Sequence, residues 1–225
     1  MAINLQSTNT ISADGIKILA YGAAGSGKTM LIKTLPDPVI LSAEGGLLTL
    51  SDEELPFMEI GSMDELKEAY TWLNEHKDAK QFKSVALDSI TEIAEVCLAN
   101  EKKINKDPRA AYGEMQTTMS EVIRLFRDLK GKNVYMTAQL SKTTDEMGRV
   151  LYGPSMPGQK AGQALPYAFD IVAAMRVEKD DEGVSQRALM MESDGLWQAK
   201  HRMGDKLEAW ESPDLGAIIK KVGGK

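Results

Sequence analysis

Gly22-Ala23-Ala24-Gly25-Ser26-Gly27-Lys28-Thr29 is the stretch that decides the fold. Its spacing is G-x-x-x-x-G-K-T. Glycines at 22, 25 and 27 let the backbone enter positive φ and turn successive N–H groups inward, which makes a nest for anionic oxygens. In that pattern Lys28 reaches the β and γ phosphates of a nucleotide, and Thr29 offers its hydroxyl to Mg²⁺. The expected contact set is Gly22, Ala23, Ala24, Gly25, Ser26, Gly27, Lys28, Thr29 and Met30. The flanks agree with a phosphate-binding loop. Ile16–Tyr21 reads as a strand, and Met30–Leu35 reads as a helix whose N-terminal dipole adds to the anion site. The ligand class is a nucleoside triphosphate, and these residues do not encode the base.

Working outward, Val39–Ser42 reads as a second buried strand after the stop Pro36-Asp37-Pro38, with Ala43-Glu44-Gly45-Gly46 at its C-terminal end. In an open parallel sheet that edge is where ligands bind. Phe82-Lys83-Ser84-Val85-Ala86-Leu87-Asp88 is an apolar strand ending in a carboxylate, the pattern that holds Mg²⁺ opposite the phosphates. Thr29 and Asp88 are the expected metal-side residues. Ser89, not Glu, follows Asp88, so a water-activating base must come from another strand. Glu44 is the candidate, against the alternative of an exposed turn carboxylate. Val134–Ala138 is a further strand ending in Gln139. A Gln there either senses the γ-phosphate or is an ordinary edge residue.

The remaining elements follow from periodicity and caps. Leu55–Ile60 reads as a short strand. Ser62-Met63-Asp64-Glu65 and Ser89-Ile90-Thr91-Glu92 are capping boxes that open helices. Tyr112 through Leu129 marks one face of a long helix. Residues 141–160 lack apolar periodicity and read as a long loop, either functional or merely mobile. That loop offers Lys142, Arg149 and Lys160, with Tyr152 as a stacking group. Phe169–Val177, Arg187–Glu192 and Trp197–Arg202 read as strands, and Ser212-Pro213 as the start of a last helix. The expected organisation is a polar lead-in at 1–15, a core at 16–211, and a C-terminal helix and tail at 212–225.

Bulk composition bounds the function classes. The 225 residues are 43% hydrophobic and 27% charged, suited to one generous globular domain. One cysteine, Cys97, excludes an intramolecular disulfide and a Cys-based zinc cluster. No run of 18 apolar residues and no signal-peptide pattern occurs, so a cytoplasmic protein without a membrane partner is expected. A net charge of −6 argues against general coating of nucleic acid, yet residues 100–176 carry 12 Lys/Arg against 8 Asp/Glu. That permits a local phosphate-binding face.

Taken together, the loop 22–29, Ser42-Ala43-Glu44-Gly45-Gly46, the Val85-Ala86-Leu87-Asp88-Ser89 strand, Gln139, and Lys200-His201-Arg202-Met203-Gly204 resemble the RecA-type ATPase core. The entry Ile16–Gly22 and the short C-terminal end look like the phage RecA-core annealing ATPases of the Sak type. The resemblance spans about residues 15–205 and implies an α/β fold. In that fold a mostly parallel central sheet is flanked by helices, with a β-rich C-terminal part. It implies ATP and Mg²⁺ as cofactors, with Lys28 on the phosphates, Glu44 polarising the attacking water and Gln139 reading the γ-phosphate. Lys200 and Arg202 would reach a neighbouring subunit's nucleotide, which requires a homo-oligomeric filament or ring. Segments 105–113, with Lys106 and Arg109, and 141–160 would face single-stranded DNA. A single-strand-binding protein is a further candidate partner. No N-terminal oligomerisation helix or separate DNA-binding domain is visible, so annealing or recombination assistance is expected rather than full strand exchange. The alternatives are a ring motor or branch-migration factor, and a nucleotide-gated interaction switch without nucleic acid.

Overall fold

The computed structural model describes residues 15–223. Residues 1–14 of the expected lead-in, and Gly224 and Lys225 of the tail, lie outside the described residues. The first strand, β1, is Lys17–Gly22 and is buried along its whole length. The other strands are β2 Pro38–Ser42, β3 Phe57–Glu59, β4 Ser84–Asp88, β5 Asn133–Thr144, β6 Val150–Pro154, β7 Ile171–Lys179, β8 Ser185–Met190, β9 Lys200–His201 and β10 Trp210–Glu211. The helices are α1 Met63–Glu75, α2 Ile90–Ile104, α3 Pro108–Arg127, α4 Gln159–Ala164 and α5 Leu215–Lys221. The sheet order is β10-β8-β7-β1-β5-β4-β2-β3, with β6 on β5 and β9 on β7. From β7 across to β3 every pairing is parallel, and β8, β10, β6 and β9 join antiparallel. This is the α/β architecture expected, with a mostly parallel sheet and a β-rich C-terminal part.

The continuous apolar runs of β1, β2 and β4 follow from burial on both faces. Leu19 and Tyr21 point into one core with Val39, Leu41, Val85 and Leu87, under α1, α2 and α3. Ile18 and Ala20 point into the other with Ile40, Ala86 and Tyr135, under α5 and the segment after the phosphate loop. Side chains in a strand alternate faces, so each strand feeds both cores. All parallel strands end at one sheet edge, where the motifs lie.

Four local expectations are corrected. The segment after the loop is a six-residue 3₁₀ turn, Thr29–Thr34, rather than an α-helix. Pro36-Asp37-Pro38 stops it early, so the dipole of a full helix does not act there. Residues 141–160 are not a structureless loop. Strand β5 continues to Thr144 and pairs with β6, Leu140 opposite Pro154 through Thr144 opposite Val150. Asp145 Oδ1 accepts from Met147 N and Arg149 N to close the turn. Helix α5 is capped by Asp214, which accepts from Ala217 N at 2.9 Å, rather than by Ser212. Its Leu215 N donates instead to Thr34 Oγ1 at 2.9 Å, which docks α5 on the 3₁₀ turn. The expected Trp197–Arg202 strand is reduced to the two residues of β9.

Candidate nucleotide site

The loop between β1 and the 3₁₀ turn closes on itself through Ser26 N donating to Ala23 O at 3.2 Å. Gly25 at φ 72° and Gly27 at φ 105° occupy backbone regions that side-chain-bearing residues avoid. A Cβ at Gly22 would stand 2.8 Å from Met175 O and 2.9 Å from Ser26 Oγ. Ser26 Oγ is buried without a hydrogen-bond partner among the described residues. Lys28 Nζ donates to the loop's own carbonyls, Gly22 O and Ala23 O, each at 3.0 Å. Burial pushes the Lys28 ammonium below the ordinary lysine range, and the Glu44 and Asp88 carboxylates oppose that. An ammonium satisfied only by neutral carbonyls, beside an unpartnered buried hydroxyl, fits an anionic ligand in the loop. Met30 is half-buried and packs against the α5 core. Tyr135 OH donates to Lys28 O at 2.9 Å and fixes that end from below. Burial, with the Asp88 charge, keeps this phenol protonated.

Three strand tips converge beside the loop. Asp88, at the end of β4, is 2% exposed. Its Oδ2 accepts from Thr29 Oγ1 at 2.7 Å, and its Oδ1 accepts from Thr137 Oγ1 on β5. Burial raises the Asp88 carboxyl above its ordinary range, while the Thr137 and Thr29 hydroxyls pull it back. Asp88 O accepts from Ala43 N at 2.8 Å and Glu44 N at 3.3 Å, which lays the end of β2 across the tip of β4. Glu44 Oε1 then accepts from Ser89 Oγ at 2.5 Å and Gln139 Nε2 at 3.2 Å. Ser89 also accepts from Glu92 N at 3.4 Å as the α2 cap. The serine after Asp88 therefore orients the Glu44 carboxylate at the tip of β2. Thr29, Asp88, phosphate oxygens and water would hold Mg²⁺, which would supply charge neutralisation at the phosphates. Among the described residues no group of three or more His, Cys, Asp or Glu forms a protein-only metal cage.

Thr137 and Thr91 are site residues that the sequence did not single out. Thr91 Oγ1 accepts from Gln139 N at 3.0 Å and donates to Ser155 O at 2.9 Å, while Ser155 N donates to Gln139 O at 2.8 Å. Gln139 thus stands at the root of the β5–β6 hairpin. The hairpin's other flank is held by stacking. Tyr152 lies on Trp197 with centroids 4.3 Å apart, and Arg176 covers Trp197 at 4.3 Å.

The remaining candidates lie elsewhere. Lys200 and His201 pair with Val172 and Ile171, at the end of β7 away from the phosphate loop. Lys200 Nζ donates to Phe169 O, and Arg202 donates to Tyr167 O at 2.8 Å and faces Asp170 at 3.6 Å. Neither reaches its own chain's loop. Lys106 sits between α2 and α3, and Arg109 in the first turn of α3. Gly158 lies against Tyr112 and Gln116, which puts the start of α3 beside the segment after β6. Lys142 is exposed on β5 with Nζ 5.8 Å from the Tyr152 ring centroid. Arg149 is paired with Asp145 at 2.8 Å. The Lys160 side chain lies outside the described residues. No helix of the described residues is long and apolar enough to cross a membrane.

A family model described as an AAA domain matches residues 14–203. A search of curated proteins finds no match. Solved structures match as well. One is the KaiC-like protein PH0186 from the hyperthermophilic archaeon Pyrococcus horikoshii OT3, 13% identical. That match covers 79% of this chain and 78% of that one, at a TM-score of 0.42.

Proposed function

The chain belongs to the AAA domain family, and from that premise we propose that it is an Mg²⁺-dependent ATPase whose hydrolysis is coupled to single-stranded DNA in a homo-oligomer. The observation that carries the ATPase reading is the Glu44 carboxylate, held by Ser89 and Gln139 beside the Lys28–Thr29–Asp88 cluster. Glu44 accepts a proton from the water whose oxygen bonds to the γ-phosphorus, while the bond from that phosphorus to the bridging oxygen breaks and ADP leaves with the electron pair. Lys28 leaves the loop carbonyls for the phosphates. Gln139 Nε2 exchanges Glu44 for the γ-phosphate or its water, so loss of that phosphate is felt at the hairpin root through Thr91 and Ser155. Lys200 and Arg202 act on a neighbour's nucleotide. Their distance from their own loop is what a role in trans requires.

The DNA reading rests on the β5–β6 hairpin. It rises directly from Gln139 and carries exposed Lys142, and the segment that follows it meets α3 at Tyr112 and Gln116. The activity is annealing or recombination assistance of the phage type. A second reading, a nucleotide-gated protein-interaction switch, is favoured by the hairpin tip. There Arg149 is neutralised by Asp145, and Met147 is 82% exposed.

ATP turnover with and without single-stranded DNA, on wild type beside Lys28→Ala, tests the proposal. Stimulation that is lost in the variant and falls steeply with salt supports the DNA reading. Turnover indifferent to DNA moves the assignment to the switch. Turnover retained in Lys28→Ala removes the ATPase site itself.

A further inference from the structure

Arg187 on β8 donates from Nε to Ser26 O, in the phosphate loop, at 3.2 Å. Its Cδ and Nε stand 3.5 Å from where a Cβ of Gly27 would be. The side chain is therefore laid across the outer wall of the loop. It is exposed, and its remaining N–H groups have no partner among the described residues. Its neighbour Arg176 differs on each count. That guanidinium is paired with Glu178 at 2.7 Å and covers Trp197.

The position fixes which end of a bound nucleotide Arg187 meets. Thr29, Asp88, Glu44 and Gln139 all lie from β1 toward β5, β4 and β2, so the γ-phosphate must point that way. The nucleoside half then leaves the loop on the opposite side, over β7 and β8. Arg187 pairs with Val177, beyond Ala174, the last β7 residue paired with β1. It therefore stands above the sheet edge on that exit. A planar guanidinium held at Nε, with its face and terminal N–H groups open, can lie on a base or hydrogen-bond a ribose.

We propose that Arg187 is a ligand of the nucleoside half of the bound nucleotide, donated in cis from β8 and independent of the γ-phosphate machinery. The proposal rests on the loop holding a nucleotide. The test measures dissociation constants of the Mg²⁺ complexes of ATP, ADP and, by competition, inorganic tripolyphosphate on wild type, Arg187→Ala and Arg187→Lys. Arg187→Ala should weaken ATP and ADP equally, by about tenfold, and leave tripolyphosphate unchanged. Arg187→Lys should recover only part, because a lysine lacks the planar face. Unchanged ATP binding overturns the proposal. So does a loss confined to ATP, or a loss shared equally by tripolyphosphate. Should tripolyphosphate not bind wild type at all, the nucleoside end already carries the affinity and the ATP–ADP pair decides. If wild type bound no nucleotide, the site assignment itself would fail, a different result from any of these.

Discussion

Replacing Thr137 by Val should expose how much its hydroxyl offsets the burial of the Asp88 carboxyl. The two side chains are nearly isosteric and Thr137 is fully buried, so packing changes little. What is lost is the Oγ1–H donated to Asp88 Oδ1. A hydrogen bond to a charged group contributes about 1.5–3 kcal/mol. For a chain of this size 1 kcal/mol shifts Tm by roughly 2–4 °C. A loss of about 2 kcal/mol therefore lowers Tm by roughly 4–8 °C near neutral pH.

The sign of the pH dependence follows from the direction of the Asp88 shift. Its folded carboxyl is raised by burial, so ionisation costs the folded state at neutral pH. That cost disappears as pH falls from the folded value toward the unfolded one, about 3.9. The Thr137 hydroxyl pulls the folded value down, so Thr137→Val raises it further. The gap between variant and wild type is full above the variant's folded value and narrows as pH falls through it. At the acid end only a neutral hydrogen bond separates the two, about 1 kcal/mol. Thermal melts across this range, without nucleotide and with a chelator, measure the gap directly. Titrating groups that do not interact with Asp88 cancel, because both proteins carry them. Thr137→Ser, which keeps the hydroxyl, should restore most of the stability. A gap of constant size at every pH would refute the reasoning and reduce Thr137 to packing.

Glu44→Gln should bind ATP and hydrolyse it about 10²–10⁴-fold more slowly, since an amide cannot take the water's proton; single-turnover kinetics at normal speed would place the base elsewhere. Arg202→Ala should leave nucleotide affinity nearly intact and lower turnover only once protomers assemble. A loss that is the same at every protein concentration counts against action in trans. Gly22→Ala forces a methyl against Met175 O and Ser26 Oγ, and should cost about 1–3 kcal/mol of stability by overpacking. A melt indistinguishable from wild type would mean that β7 yields at no cost.

What could be read in advance divides along a physical line. Strands β1, β2 and β4 were legible because burial on both faces writes itself as an unbroken apolar run. Glu44, Asp88 and Gln139 were legible because each directly follows or ends such a run, where a parallel sheet gathers its strand tips. The hairpin Leu140–Pro154 was not. Its outer part stands clear of either core, so neither of its faces needs apolar residues and no period of two appears. At the last helix Ser212 and Asp214 are both good cap formers, so local chemistry does not decide between them. The choice was made by Thr34, far away in the chain, which takes Leu215 N.

The same line separates the site residues. Thr137 is a lone hydroxyl inside an apolar strand, and its meaning appears only when β4 is laid beside β5 with Asp88 at its tip. Arg187 and Ser26 are 161 residues apart, joined by a register that no local pattern carries. Motif spacing reports contacts that the chain makes with itself over a turn or with a phosphate. It is silent on contacts made by sheet order. With a nucleotide bound as proposed, the γ-phosphate end of the site would be built mostly by motif, and the nucleoside end by sheet order. Residues that distinguish one nucleotide from another should therefore be sought on β7 and β8 rather than in the loop.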